Sequence, residues 1–348
     1  MGSGIAQWIS ARDFPVILSD LNHEAVAKGL SNVDKIYESA VKRRIFTEHE
    51  ARLKRDKVAP IAYRVPLTST DLVIEAAVEN LDVKKKIFAD LCERVRPDTI
   101  LATNTSALSI SELIKGEGIT HPERVIGIHF FNPVHRMKLV EIVVTDVTDP
   151  AVVEATLRFV RKLGKSPIVV NDSPGFVVNR ILMPYLIEAA RLFDSGVDAR
   201  EIDEAMLDFG MPMGPLRLLD EVGLDVATHV AGTMGEAFGD RFVVPTVVGR
   251  LVVSGNLGRK SGSGFFSFAA TKNSVNPLAI ESRTAKSSVK MNRTEIADRL
   301  AGLMVNEARM VLEEGVAASS EDVDLAMILG TGFTPFRGGP LAFGKTIA

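Results

Sequence analysis

Six histidines stand in the chain: His23, His49, His121, His129, His135 and His229. Imidazole is the side chain whose ordinary pKa suits proton transfer near neutrality. His129 is the best placed of the six. It sits near the C-terminal end of the apolar run Val125–Phe130, and open α/β sheets bind ligands beyond the carboxyl ends of their strands. A second apolar run, Leu139 to Val144, contains Glu141. If the two runs form an antiparallel pair turning through 131–137, His129 faces Glu141. A carboxylate there would hold the imidazole tautomer and stabilise the imidazolium formed when the ring takes a proton. A lone strand histidine is more often a satisfied core residue, and the opposed carboxylate sets this one apart. His135 falls in the inferred turn and reads as an exposed loop residue.

Two polar residues stand at the ends of expected elements. Ser106 follows the buried run Thr99–Ala102 in the loop Asn104-Thr105-Ser106. Asn179 opens a helical stretch. Their ordinary readings are a turn residue and a helix cap. The chain begins MGSGIAQW, and Asp20 follows Gly2 by 18 residues at the end of the apolar strand Val16-Ile17-Leu18. That spacing fits the third glycine of a G-x-G-x-x-G turn and the acidic residue that binds ribose hydroxyls. The first two glycines and the strand before them are absent. On spacing alone MGSG fits either an internal position or a leader scar of Met, Gly and Ser, and the family resemblance described below implies the internal position. Loss of that central strand is expected to weaken both folding and cofactor binding.

The elements that must hold these residues alternate over about 150 residues, in the pattern of a parallel α/β sheet. A helix is expected from about Ser3 to Ala11, a strand at Val16–Leu18, and polar helix from about Glu24 to Lys57. A buried strand follows at 71–77, then an amphipathic helix from Asn80 to Arg96 and strands at 99–102, 125–130 and 139–144. Lys84-Lys85-Lys86 reads as a solvated helix face. After Asn171-Asp172-Ser173-Pro174-Gly175 the pattern turns helical.

The helical part repeats itself. Arg180 to Gly196 matches Arg299 to Gly315 at an offset of 119, with Glu188 on Glu307. Asp203-Glu-Ala-Met206 matches Asp324-Leu-Ala-Met327 at an offset of 121. Each copy runs into a Gly/Pro-rich loop, at 210–215 and 330–340. The stretch 269–292 is polar and aperiodic and reads as a linker. With 46% apolar residues and a net charge of −3, nothing points to nucleic acid or to a transmembrane segment. Cys92 is the only cysteine, which excludes an internal disulfide and suits a reducing compartment.

The stretches GSGIAQ, VILSD, VIEAAVENLDVKKKIF (73–88), TNTSALSI (103–110), IGIHFFNPVHRMKLVEIV (126–143), DSPGFVVNRIL (172–182), GPLRLLDEVGLD (214–225) and GRKSGSGFF (258–266) resemble L-3-hydroxyacyl-CoA dehydrogenase over nearly the whole chain. The duplicated helical part resembles the multifunctional fatty acid β-oxidation α-subunit, in which an enoyl-CoA hydratase domain precedes this region. The resemblance implies a Rossmann-like α/β domain, lacking its first strand, followed by two homologous all-α modules. The expected bounds are 1–172 for the NAD-binding domain, 173–268 for the first helical domain, 269–292 for the linker and 293–348 for an incomplete second module. It implies oxidation of a 3-hydroxyacyl-CoA to the 3-oxoacyl-CoA with hydride transfer to NAD. His129, Glu141, Ser106 and Asn179 would carry the chemistry. Met1, Gly2, Asp20, Ala77, Val78, Glu79, Lys84, Ser106 and Asn132 would contact the dinucleotide, and Ser106, Asn179 and Phe343 the substrate. Lys260 would reach a phosphate. No arginine adjoins Asp20, which fits NAD rather than NADP.

The sequence departs from the family at Lys138, where many relatives have proline, and at Phe343, where the multifunctional members have tyrosine. Implied partners are an acyl-CoA thioester, a second copy of the chain and a thiolase β-subunit. The implied location is the bacterial cytoplasm rather than the mitochondrial matrix. A non-catalytic dimerising or thiolase-docking fragment is the alternative reading. A dehydrogenase of the β-hydroxyisobutyrate type, which uses a lysine base, is disfavoured by the His129/Glu141 pair.

Overall fold

The computed structural model describes residues 1–268 and 274–346. Two compact units divide the chain, Met1–Asp172 and Ser173–Ala348. The first runs α1 (Gly2–Ser10), β1 (Val16–Ser19), α2 (His23–Lys42), α3 (Glu48–Arg55), β2 (Val58–Ile61), β3 (Leu72–Glu75), α4 (Leu81–Cys92) and β4 (Ile100–Thr103). It continues with α5 (Ile110–Leu113), β5 (Val125–Phe130), β6 (Leu139–Val144), α6 (Pro150–Lys162) and β7 (Ser166–Asn171). Helix starts carry the expected chemistry. Asn22 and Asn80 accept the Ala25 and Val83 amides at the heads of α2 and α4. Thr47 and Glu50 form a reciprocal capping box on α3, and Asp149 caps α6 ahead of Pro150.

The α/β sheet is present in two parts. β1 pairs with β2 in parallel, and β3-β4-β5-β6-β7 form a five-stranded sheet. Only β5 and β6 run antiparallel within it. Among the described residues no pairing joins the two sheets. β5 is buried at every position and β6 at all but its last, as strands covered on both faces are. β1 and β3 are equally apolar yet only half-buried, and Ile17 is 43% exposed.

Helix α1 bridges the two sheets through its side chains. Ile5 and Ile9, one turn apart on one face, pack with Ala102, Ile126, Ile128, Val140 and Ile142. Val16 of β1 and Leu72 and Ile74 of β3 flank that same cluster. Burial of each isoleucine contributes about 1.5–3 kcal/mol. The other face of α1 packs Ala6 against Val33, Tyr37 and Val58.

Besides the short helix α5, three elements of this unit lie outside the sequence reading. β2 contains Pro60, which breaks its apolar run. Proline lacks a ladder donor and is tolerated on an edge strand, and β2 pairs with β1 alone. The other two, α6 and β7, fill 150–171, where no element is expected.

The second unit is helical: α7 (Val178–Asp194), α8 (Ala199–Phe209), α9 (Pro215–Val222), α10 (Leu224–Phe238) and α11 (Thr246–Val253). After the short pair β8 (Phe266–Ser267) and β9 (Ser274–Val275) come α12 (Pro277–Glu281), α13 (Arg293–Glu313), α14 (Ser320–Thr331) and α15 (Pro340–Gly344). One clamp is built twice. Asp203 of α8 accepts the Leu216 and Arg217 amides at the head of α9, at 2.9 and 3.2 Å. Asp324 of α14 accepts the Leu341 and Ala342 amides at the head of α15, at 2.7 and 3.1 Å. A Cβ at Gly214 would lie 2.2 Å from Asp203, and one at Gly339 2.4 Å from Asp324, so both clamps require glycine.

The long helices α7 and α13 exchange ion pairs reciprocally. Arg180 reaches Glu307 at 3.0 Å and Arg299 reaches Glu188 at 2.5 Å, and these four residues are the register-matched positions of the repeat. Residues 274–292 of the expected linker are held by pairing and tertiary hydrogen bonds, which corrects the sequence reading for them. β9 pairs with β8, buried Asn276 donates to the Gly264 carbonyl at 2.8 Å, and Thr284 donates to Asp194. The polar side chains of this stretch are used in caps and tertiary hydrogen bonds, which a hydropathy reading does not register. Residues 269–273 lie outside the described residues. Among the described residues no helix is long and apolar enough to cross a membrane.

Candidate active site

β5 and β6 pair in the register that sets His129 opposite Glu141. The imidazole Nδ1 lies 2.7 Å from Glu141 Oε2. Both residues are buried, Glu141 completely. With its Nδ1 hydrogen donated to the carboxylate, the ring presents Nε2 as its basic nitrogen. The Phe131 ring stacks at 4.4 Å between centroids. A buried imidazole held by a carboxylate on paired strands has the geometry that general-base chemistry requires.

The loop after β4 is fixed beside it by Asn104 and Glu75, which the sequence reading did not single out, and by Glu79 and Lys84, which it assigned to the dinucleotide. Asn104, also buried, accepts the Phe130 amide at 2.8 Å and so ties the end of β4 to the end of β5. Glu79 Oε1 accepts the Thr105 hydroxyl at 2.6 Å and the Ser106 and Ala107 amides at 2.7 and 3.2 Å. Glu79 therefore shapes the turn that carries Ser106. Glu75, at the end of β3, accepts the Thr103 hydroxyl at 2.7 Å and both its oxygens receive Lys84 Nζ, at 2.8 and 2.9 Å. Lys84 Nζ also stands 3.7 Å from Glu79. Lys84 is 1% exposed, so the solvated-face reading of 84–86 does not hold for it. Its ammonium is buried because two carboxylates compensate it. The signal available in the sequence was a glutamate ending an apolar strand nine residues before a lysine.

The candidate dinucleotide residues gather at the carboxyl ends of β1, β3 and β5. No side chain caps the N-terminus of α1, where exposed Met1 precedes Gly2. A Cβ at Gly2 would stand 3.8 Å from the Ala76 methyl, so this helix end closes directly on the loop after β3. Asp20 is exposed just past β1, and its carboxylate accepts the Leu21 amide at 2.8 Å. Ala77 and Val78 are exposed, as is Asn132 in the β5–β6 loop. An open helix N-terminus, small residues beside it and an exposed acid at the neighbouring strand end fit a pyrophosphate and a ribose. A dinucleotide therefore suits the residues present.

The helical unit holds the remaining candidates. Asn179 is the second residue of α7 and half-buried; the cap position is Val177, so the helix-cap reading does not apply. Phe343 is buried, with ring centroids 5.2 Å from Phe209 and 6.5 Å from Phe333. Lys260 is paired with Asp225 at 2.5 and 2.6 Å. Among the described residues no cluster of three or more His, Cys, Asp or Glu side chains could hold a metal ion.

Residues 1–173 match the family described as 3-hydroxyacyl-CoA dehydrogenase, NAD binding domain, and residues 175–268 match its C-terminal domain. A solved 3-hydroxybutyryl-CoA dehydrogenase from Escherichia coli K12 is 31% identical, with a TM-score of 0.87, covering 100% of this chain and 89% of that one. The chain belongs to the 3-hydroxyacyl-CoA dehydrogenase family. The (S)-3-hydroxybutyryl-CoA dehydrogenase of Ralstonia eutropha is 37% identical, with a TM-score of 0.73 over 78% of this chain and 96% of that one. The fatty acid oxidation complex subunit alpha of Vibrio campbellii is 36% identical over 344 residues, 99% of this chain and 49% of that protein. The chain thus spans about half the length of the curated relatives it matches.

Proposed function

We propose that the chain oxidises an L-3-hydroxyacyl-CoA to the 3-oxoacyl-CoA, as part of a longer β-oxidation protein. The observation that carries this reading is the buried His129–Glu141 pair at the strand ends beside an open dinucleotide-type helix terminus. His129 Nε2 takes the proton of the C3 hydroxyl, and Glu141 holds the ring and balances the imidazolium. NAD, when bound, supplies the acceptor for the C3 hydride. Ser106 and Asn179 orient the substrate's hydroxyl and thioester oxygens. Gly2 and the α1 amides face the pyrophosphate, Asp20 the ribose, and Met1, Ala77, Val78 and Asn132 line the dinucleotide. Glu79 and Lys84 act by fixing the loops on which that surface is built. Phe343 contributes apolar bulk on the substrate side.

We propose further that one parallel strand belongs between β1 and β3. Both are apolar, half-exposed on a shared core and unpaired toward each other. The segments 173–268 and 293–348 read as copies of one helical module. A homodimer through the helical unit follows from the family resemblance alone. A thiolase β-subunit and a bacterial cytoplasmic setting follow from the resemblance to the multifunctional α-subunit. The divided sheet favours a second reading, a fragment impaired in cofactor binding that serves as a docking module. Mass analysis of the products from NAD with L- or D-3-hydroxybutyryl-CoA separates the two. Formation of 3-oxobutyryl-CoA from the L-isomer alone supports oxidation; no product from either isomer favours the docking reading.

A further inference from the structure

Lys165 stands just before β7, and its side chain runs inward. The residue is 7% exposed. Its Nζ donates to the Val134 carbonyl and, at 2.6 Å, to the Met137 carbonyl. The same ammonium lies 3.9 Å from the centroid of the Trp8 ring on α1. Trp8 is in turn fixed by its indole N–H, which donates to the Leu163 carbonyl at 3.0 Å.

These contacts join two elements that bear the proposed dinucleotide contacts. The 131–138 loop carries Asn132, and α1 carries Gly2. Within the loop, the backbone bonds run from the Arg136 and Met137 amides to the Pro133 carbonyl, at 2.9 and 3.1 Å. Val134 packs under the first turn of α1, where a Cβ at Gly4 would lie 3.4 Å from its methyl. An ammonium has three donors, and leaving them unmet away from water is costly. Here two carbonyls and an aromatic face meet them.

We propose that Lys165 is a positioning residue for the dinucleotide site, strapping the 131–138 loop to α1. This rests on the reading of that site as the one for NAD. Burial and the nearby Arg12 guanidinium push the Lys165 ammonium down to about 8. Arg12, just past the end of α1, and His135 from the loop are the charged or titratable groups that face it.

The test compares the 348-residue chain with Lys165→Met. Three readings are taken: amide exchange across 131–138 without cofactor, emission of Trp8, the only tryptophan, and NAD affinity by direct titration. In Lys165→Met, exchange at Arg136 and Met137 should accelerate and the Kd for NAD should rise, each roughly tenfold, as expected for loss of charge-assisted hydrogen bonds. Trp8 emission should shift, while exchange in β5 and β6 stays as in the parent. Should Lys165→Met fail to fold, Lys165→Gln is read in the same way. Unchanged exchange in 131–138 together with unchanged NAD affinity overturns the proposal. A parent chain that binds no NAD overturns the reading of the site instead, and the exchange data alone then judge the strap.

Discussion

Glu141→Gln isolates the contribution of one charge. The amide has the shape of the carboxylate and leaves β6 intact, but removes the negative charge 2.7 Å from His129 Nδ1. Opposite unit charges about 4 Å apart interact by about 4 kcal/mol at an effective dielectric of 20. That value is an upper bound, equivalent to a factor of about 1,000 in rate. The lower bound is the difference between a charged and a neutral hydrogen bond, about 1 kcal/mol or roughly fivefold. Because the carboxylate is fully buried, solvent screens little, and the expected fall in kcat is between about 10-fold and 1,000-fold. Glu141 acts through His129 and touches no ligand in this account. KM for the acyl-CoA and for NAD should therefore stay within about threefold of the parent. Steady-state NADH formation from L-3-hydroxybutyryl-CoA measures both, with a thermal melt as the folding control. A folded variant with parental kcat, or one whose KM rises while kcat holds, would refute the role assigned to this pair.

The helical unit yields a pH prediction. Burial pushes Asp203 up to about 7 and Asp220 up to about 6, from 3.8. A carboxyl raised on folding binds protons more tightly in the folded chain, so its stabilising contribution is full below pH ~4 and is lost as pH rises through ~6–7. Asp203→Asn, which mimics the protonated acid, should therefore gain stability relative to the parent between pH 5 and pH 8; a difference in Tm that is flat or reversed counts against this. The reciprocal ion pairs should differ in energy despite matching in sequence. Arg180 is fully buried, whereas the Arg299 side chain is 54% exposed. Arg180→Met should cost about 3–5 kcal/mol and Arg299→Met about 1 kcal/mol or less in denaturant unfolding, and equal costs would contradict the burial argument. Glu79→Gln should speed amide exchange at Ser106 and Ala107 and raise KM for the acyl-CoA roughly tenfold, while exchange at Phe130 stays as in the parent because Asn104 holds it.

The parts of this site that could be read from sequence were those governed by periodicity. Two apolar runs and the turn between them suffice to place His129 across from Glu141, because strand side chains repeat every second residue and one partner fixes the rest. The duplicated helical pattern was legible for a similar reason, since Arg180, Glu188, Arg299 and Glu307 recur in register and their pairing follows from packing like helix on like helix. The tertiary hydrogen bonds that hold the site were not legible, although the resemblance names Glu79 and Lys84 as site residues. Glu75, Glu79, Lys84 and Asn104 carry no periodic signature. Their partners come from other strands and loops, and the one cue to the burial of Lys84 was Glu75, nine residues earlier at the end of an apolar strand. β2 escaped because Pro60 interrupts it, and residues 274–292 because their order rests on polar contacts.

The most direct test of the central claim is the initial rate of NADH formation from L-3-hydroxybutyryl-CoA by the chain and by His129→Ala, with NAD affinity titrated on both. The account predicts turnover in the parent and a loss of kcat of about 100-fold to 10,000-fold in His129→Ala, with NAD affinity unchanged. A parent that binds NAD yet forms no NADH, or a His129→Ala variant that turns over as fast as the parent, would contradict it.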